Sequence, residues 1–295
     1  MRKLTFILLM SLSLSACKPG AVEGSTDLLA GITKILKIFG KKSETVAAPQ
    51  AAEWKLDPQQ LAALKEPPKD DRPDFSFKPA TPQTIYFDKE GKSLEKPVSD
   101  GFYRVVKGQT DDGRAVVQDF YQQNKRKQTN AFIIKKGGDI KDFDSSMGDS
   151  HLIWYNPDGA VEMQGHYQNG KWQGLGAFYD QGKLAAYIDE FSDDRIRLLY
   201  LYPQEGLKAV IDFNQQNESI TYTYYYLSGS GMFKFVSYAN ENEKNSIIAW
   251  NQDGEEVDPR TMVEQVTPLF EESDALIKRF LNQMSDSNSD SNSSQ

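Results

Sequence analysis

Residues 165–183 read GHYQNGKWQGLGAFYDQGK, and this stretch decides the fold. Short aromatic runs alternate here with turns that end in glycine, at Gly170 and again at Gly182. Glycine at such positions supplies the positive φ that ends a type I turn with a bulge. No apolar period of 3.6 residues competes with this pattern, so the stretch predicts antiparallel strands joined by hairpins.

The same punctuation recurs along most of the chain at intervals of roughly 8 to 14 residues, as expected for antiparallel β-structure. Other predicted turns are Asp88–Gly91, Thr110–Gly113, Asn156–Gly159, Pro203–Gly206, Ser228–Gly231 and Asn251–Gly254. Predicted strands between turns are Thr84–Phe87, Phe102–Lys107, Ala115–Tyr121, Ala131–Ile134, His151–Tyr155, Leu198–Tyr202, Ala209–Phe213 and Met232–Tyr238. The sequence therefore predicts a mainly β protein, with hairpin repeats over residues 83–257 that form a meandering or stacked sheet.

Residues 165–183 also resemble a MORN repeat. An aromatic residue precedes an Asn-Gly-Lys turn, a Gly-x-Gly pair follows, and an aromatic residue precedes the second glycine turn. Residues 155–167 look like the variant of this repeat found in bacterial proteins of the YwqK antitoxin type. The resemblance covers residues 150–190 and becomes degenerate elsewhere. It implies that Gly174 and Gly176 allow close backbone approach while Tyr167, Phe178 and Tyr179 stack against neighbouring units.

The amino terminus carries a short positive end and an apolar run over residues 4–14, which is typical of a secretory signal rather than of a membrane span. The run ends in Leu14-Ser15-Ala16-Cys17, which resembles the bacterial lipobox. This resemblance implies cleavage after residue 16 and attachment of acyl chains such as palmitate at Cys17. Lys18 is not the aspartate associated with inner-membrane retention, so the resemblance further implies the outer membrane of a Gram-negative bacterium. The alternative is an ordinary buried cysteine after an ordinary signal peptide.

Composition limits the chemistry. The 295 residues contain one cysteine and two histidines, which excludes a disulfide framework and a thiolate zinc site. The formal net charge of −8 becomes about −10 without residues 1–16, and this balance disfavours nonspecific nucleic-acid binding. His151 and His166 lie in no metal-binding motif, and no Gly-x-Ser-x-Gly elbow occurs. We therefore expect no metal, no cofactor and no enzymatic activity.

Residues 17–82 are predicted to form a lipidated tether rich in Ala, Pro, Lys and Gln. Residues 26–40 contain apolar residues at helical spacing, and the lysines fall mostly off this apolar face. This amphipathic helix either lies on the membrane or packs on the folded body. In the first case the candidate membrane contacts are Lys34, Lys37, Lys41 and Lys42. A second short helix is predicted from Asp57 to about Lys65.

The carboxyl-terminal region differs from the β-repeats. Asp258 and Pro259 are a cap and a first-turn proline, and an apolar face follows, so residues 258–284 are predicted to form a helix that caps the open end of the sheet. Pro268 is expected to interrupt this helix. Residues 285–295 consist of Ser, Asp, Asn and Gln and are predicted to be disordered.

The sequence favours a non-enzymatic binding or scaffold module on the envelope, with a protein partner of unknown identity. Its candidate binding surface is aromatic and comprises Trp154, Tyr167, Trp172 and Tyr179. Tyr222, Tyr224 and Tyr226 alternate along another strand, where core is favoured over surface. An antitoxin or immunity-like protein that sequesters a toxin is the alternative implied by the YwqK-type resemblance. A third hypothesis is a carbohydrate-active enzyme, in which two close carboxylates would lie between tryptophans such as Trp154 and Trp172.

Overall fold

The computed structural model describes residues 47–54, 58–192, 194–204, 206–239 and 245–285. The predicted lipidation at Cys17, the amphipathic helix at 26–40 and the tail from residue 286 lie outside these ranges. The four lysines predicted to contact a membrane also lie outside them, at Lys34, Lys37, Lys41 and Lys42.

The described chain divides into two compact units. Residues 59–187 form most of the first, which we call the central unit, and residues 47–58 with 188–278 form the second, the C-terminal unit. Both consist mainly of antiparallel strands, so the predicted mainly β class is confirmed.

Helix α1 (Pro58–Leu64) lies at the start of the central unit, with only its first residue assigned to the C-terminal unit. It occurs where the second short helix was predicted. A five-stranded antiparallel sheet follows, in the order β2-β1-β3-β4-β5. Its strands are β1 (Lys78–Phe87), β2 (Ser93–Leu94), β3 (Phe102–Gln109), β4 (Ala115–Tyr121) and β5 (Phe132–Ile133). Four further strands are hydrogen bonded in sequence order, β6 (His151–Tyr155), β7 (Val161–Gln168), β8 (Lys171–Asp180) and β9 (Lys183–Phe191). The boundary between the two units falls inside β9.

The predicted tether ends earlier than residue 82. Strand β1 starts at Lys78, and the rings of Phe75 and Phe77 pack against the buried side chains of β4, β5 and the residue before β5. Asp71 also forms an ion pair with Lys127. The two phenylalanines bury apolar surface against the central unit, and the ion pair adds a second contact. This segment is therefore part of the folded body.

The predicted turns are present, but two of them have a different geometry from the expected one. Asn169 and Gly170 both have positive φ, at 51° and 75°, and they form a two-residue loop between β7 and β8. Gln181 and Gly182 do the same between β8 and β9. Positive φ at both central residues defines the type I′ turn, whose twist matches that of the flanking strands. The expected type I turn with a bulge occurs instead at Asn156–Gly159.

The central unit also buries a complete ion pair. Arg104 on β3 donates Nε and Nη2 to the two carboxylate oxygens of Asp119 on β4, at 2.7 and 2.8 Å. Its Nη1 donates to the carbonyl oxygens of Ile140 and Asp142, at 3.1 and 2.8 Å. Because the Arg104 side chain is only 1% exposed, this bidentate pair satisfies a charge that water cannot reach.

Six strands of the C-terminal unit are hydrogen bonded in sequence order from β10 to β15. They are β10 (Arg195–Leu201), β11 (Leu207–Asn214), β12 (Ser219–Tyr225), β13 (Gly231–Tyr238), β14 (Ser246–Trp250) and β15 (Glu256–Val257). A 3-10 turn (Pro259–Met262) leads into helix α2 (Val263–Ser285). The predicted cap is confirmed, because the Asp258 side chain accepts a hydrogen bond from the Arg260 amide and Pro259 is the first residue of the turn.

Two expectations for the carboxyl-terminal helix are wrong. Pro268 lies inside α2 and does not interrupt it. It lies in the second turn, where a missing amide removes one hydrogen bond, and the buried apolar face of the helix outweighs that loss. Helix α2 also does not cap an open sheet end, because Phe270 packs on the faces of β12 and β13.

Candidate functional site

The four aromatic residues predicted to form a binding surface are buried, so this prediction is wrong. Trp154, Tyr167, Trp172 and Tyr179 are each 5% exposed or less. The rings of Tyr167 and Trp172 meet edge to face with centroids 5.3 Å apart, and Trp154 contacts Tyr167 at 6.2 Å. The aromatic pattern of residues 165–183 therefore supplies core packing in the central unit, and it leaves these rings unable to reach a partner.

The Gly-x-Gly pair explains how Trp172 is accommodated. A Cβ atom at Gly176 would lie 2.0 Å from Trp172 Cζ2, and one at Gly165 would lie 2.2 Å from Trp172 Cη2. The indole thus lies against two residues that have no side chain. Gly174 acts differently, since it has a φ of 66° and its carbonyl oxygen accepts a hydrogen bond from Trp172 Nε1 at 2.9 Å.

Burial of the two tryptophans also bears on the carbohydrate hypothesis. That hypothesis requires exposed indole rings beside two close carboxylates, because a sugar stacks on an accessible aromatic face. Trp154 and Trp172 are 3% and 5% exposed and are enclosed by other side chains of the central unit. The arrangement that would favour such an enzyme is therefore not formed at these tryptophans.

The two histidines are brought together by strand register. His151 on β6 is directly opposite His166 on β7. His151 Nε2 lies 3.1 Å from Gln164 Oε1, and Gln164 Nε2 donates to the Tyr179 hydroxyl at 2.5 Å. Burial lowers the pKa of His151, an effect that the hydrogen bond to Gln164 opposes. Within the described residues, no group of three or more His, Cys, Asp or Glu side chains forms a metal site.

In the C-terminal unit, helix α2 covers one face of the sheet. The Phe270 ring lies 4.9 Å from the Tyr224 ring and 5.2 Å from the Tyr222 ring, centroid to centroid. It also contacts Phe233 and Phe235 on the neighbouring strand. Burial raises the pKa of both tyrosine hydroxyls. The interpretation of the tyrosine ladder as core is thus confirmed.

The opposite face of this sheet carries a different row of side chains. Successive registers align one residue from each of five strands. Tyr222 and Phe235, which adjoin two members of this row, contact Phe270 of α2. Because successive side chains of a strand project to opposite faces, the row lies on the face turned away from α2. We call these five residues the Arg197 row: Arg197, Asp212, Thr221, Val236 and Ser246. Four are half-buried and Ser246 is exposed, so the row reaches solvent.

Paired charges dominate one end of the Arg197 row. Arg197 donates Nε and Nη2 to the carboxylate of Asp189, both at 2.8 Å, and its Nη1 lies 3.2 Å from Glu190 Oε2. Arg195 forms a second bidentate pair with Asp212, which raises the pKa of the guanidinium. Both arginines were missed from the sequence, although the Arg-Ile-Arg alternation is the signal for two charges on one strand face.

The segment before α1 docks beside this cluster within the same unit. The Trp54 ring lies 4.9 Å from the Arg197 guanidinium, and Trp54 Nε1 donates to the Tyr225 hydroxyl at 2.8 Å. Gln50 forms an antiparallel bridge with Ser230 in the β12–β13 turn. Residues 49–54 therefore form a strap, fixed by backbone and side-chain contacts to the C-terminal unit.

A buried lysine ties α2 to the sheet. Lys208 is 7% exposed and pairs with Glu272 of the helix. Its ammonium lies 4.8 Å from the Tyr200 ring and 5.6 Å from the Tyr202 ring. Since its charge is met by a carboxylate and two aromatic faces, the contacts of Lys208 are those of a structural residue.

No protein-family model matches this chain, and no curated protein shows significant sequence similarity to it. The MORN and lipobox resemblances therefore stay predictions. None of the helices in the described ranges is long and apolar enough to cross a membrane.

Proposed function

We propose that this protein is an outer-membrane lipoprotein, anchored through acyl chains on Cys17, whose β-sheet body is a non-enzymatic binding module. The anchor rests on the order of residues 14–17, a small-residue cleavage site followed directly by cysteine. Two or three acyl chains make such anchoring durable, because each buried methylene contributes about 0.8 kcal/mol.

The observation that carries the binding role is the partial exposure of the Arg197 row, at one end of the sheet face opposite α2. Further along that face Leu199, Val210 and Thr223 are buried. Helix α2 buries one face through Phe270, while the Arg197 row on the other face is half-buried and polar. A row of short Thr, Val and Ser side chains, bounded by bidentate Arg–carboxylate pairs, offers a partner pre-ordered contacts at little cost in side-chain entropy. We therefore assign the binding surface to this row in place of the buried aromatic residues.

The strap shortens the proposed tether. The first described residue, Ala47, follows Cys17 after 29 intervening residues, 18 to 46, whereas composition predicted a tether of about 60 residues. At about 3.3–3.6 Å per residue, these 29 residues reach at most about 100 Å from the anchor. Lys34, Lys37, Lys41 and Lys42 lie within this stretch, which supports a role for them at the membrane surface.

The anchor is tested by feeding cells a labelled palmitate analogue and isolating the protein. We expect label in the wild type and none in Cys17→Ala, with Cys17→Ser as a matched second variant. Equal labelling of wild type and Cys17→Ala would show that the cysteine is not acylated.

The binding surface is tested by placing a photo-crosslinking amino acid at Thr221 or Val236 in intact cells. The control position is Gln181, in the β8–β9 turn of the central unit. We expect a discrete crosslinked species from the two row positions and none from the control. The same adducts from all three positions, or none from the row, would contradict the assignment.

A further inference from the structure

The two histidines of this chain form a directly opposed cross-strand pair. His151 on β6 and His166 on β7 are register partners in an antiparallel ladder. Opposed residues project from the same face, with Cβ atoms about 4.5–5.5 Å apart. Two imidazoles at this spacing can converge on one ion, since each metal–nitrogen bond is about 2.0–2.1 Å long.

A chain of hydrogen bonds fixes the tautomer of His151. The Tyr179 hydroxyl donates to the carbonyl oxygen of Glu66 at 3.4 Å, so it accepts from Gln164 Nε2. This orients Gln164 Oε1 toward the imidazole, where it accepts from His151 Nε2 at 3.1 Å. With Nε2 protonated, Nδ1 carries the lone pair that can bind a ligand. A metal-binding histidine is commonly held in this way, by donating its other N–H to an oxygen.

The surroundings lower the pKa of His151 and leave His166 accessible. Burial lowers the pKa of His151, and a positive charge on His166 lowers it further, while Gln164 and the carboxylate of Asp74 raise it. His166 is exposed, so an ion can enter from solvent. Neutral imidazole is the form that binds metal, and a lowered pKa favours this form.

We propose that His151 and His166 together bind a divalent transition-metal ion of the kind that prefers imidazole, such as Zn²⁺ or Cu²⁺. Imidazole pairs select such ions over Mg²⁺ and Ca²⁺, which prefer oxygen ligands. Among the described residues no third His, Cys, Asp or Glu completes a closed site. Water therefore fills the remaining positions, and the site exchanges its ion freely, unlike a structural zinc site.

The test is a Zn²⁺ titration of the full chain by calorimetry, without a polyhistidine tag. The chain carries Cys17→Ser so that no thiol competes for the metal. We expect one Zn²⁺ per chain in the parent protein and at least a tenfold weaker affinity in His166→Ala. Because His166 is exposed, its replacement should leave the thermal unfolding midpoint unchanged. An unchanged midpoint then excludes misfolding as the cause of weaker binding. Unchanged affinity in His166→Ala, or equal binding of Mg²⁺, would overturn the proposal.

A second measurement identifies the nitrogen that binds the metal. With only two histidines, selective ¹⁵N-histidine labelling gives one pair of ring signals for each residue. Zn²⁺ should shift the Nδ1 signal of His151 together with a ring nitrogen of His166, and the His151 shift should vanish in His166→Gln. A shift confined to His166 would contradict a shared site.

Discussion

The helix-covered face of the C-terminal unit and the glycine-packed face of the central unit bury aromatic rings in different ways. In the first, Phe270 of α2 meets four rings of β12 and β13, and each surface contributes side chains. In the second, the Trp172 indole lies against Gly165 and Gly176, which contribute none. One core is built by adding apolar surface, and the other by leaving space for a single large ring.

This difference teaches where each unit is sensitive. A helix on a sheet can shift by a fraction of an ångström when a side chain changes, so its losses should be graded. The central unit depends on glycines that leave room for an indole, so one added methyl group causes a steric clash. It also depends on the buried charge of Arg104, which would be left unpaired if its carboxylate partner were lost. The following variants test that contrast.

Asp119→Ala should have the largest effect. It leaves the guanidinium of Arg104 buried without its partner, and breaking such a pair costs about 3–5 kcal/mol of unfolding free energy. Urea denaturation measures the loss. The control is Asp111→Ala, which removes an exposed ion pair to Lys78 and should cost less than about 1 kcal/mol. Similar losses in the two variants would show that the buried pair is not critical.

Phe270→Ala should cost about 3 kcal/mol, the lower end for a buried phenylalanine, because α2 can settle toward the sheet. Hydrogen exchange should quicken in β12 and β13, the strands that the ring covers. Phe270→Leu is the matched variant and should lose less than half as much. If exchange in β12 and β13 were unchanged, the helix would not cover the face as described.

Gly176→Ala should cost about 2 kcal/mol, because overpacking forces the indole or the backbone to move. Gly174→Ala is the control, since a Cβ there meets nothing within 4 Å and only the positive φ opposes it. Combining Gly176→Ala with Trp172→Phe should recover part of the loss, as the smaller ring vacates the space. A double variant whose loss equals the sum of the two single losses would argue against direct contact.

Trp54→Phe should have the smallest effect, about 1 kcal/mol, because it removes one hydrogen bond to the Tyr225 hydroxyl and keeps a ring beside Arg197. Faster hydrogen exchange confined to residues 49–54 and the β12–β13 turn would report release of the strap. Tyr225→Phe removes the same hydrogen bond from the other side and should match it. A much larger loss of unfolding free energy in either variant would mean that the strap stabilises the C-terminal unit as a whole.

The strands and turns could be predicted from local sequence, because glycines such as Gly170 and Gly182 mark the turns, where they adopt positive φ. The runs between these turns are the strands. Strands β4 and β6 match their predicted bounds residue for residue. The sequence could not show which side of a strand is covered, since that depends on residues that only folding brings together, such as Gly165 and Gly176 around Trp172. Trp154 and Trp172 were wrongly predicted to be exposed for this reason. The ion pair of Arg104 with Asp119 was also not predicted, because only the pairing of β3 with β4 brings the two side chains together.

The most direct test of the binding assignment compares two adjacent residues on opposite faces of β13. Val236 belongs to the Arg197 row, whereas Ser237 is 6% exposed on the face covered by α2. In a Cys17→Ser background, which removes the one native cysteine, Val236→Cys and Ser237→Cys each carry a single thiol. We predict that the cysteine at 236 reacts readily with a maleimide in purified protein and several-fold more slowly in cells, where a partner covers it, while the cysteine at 237 stays unreactive in both. Equal rates for position 236 in cells and in purified protein would contradict binding through this row.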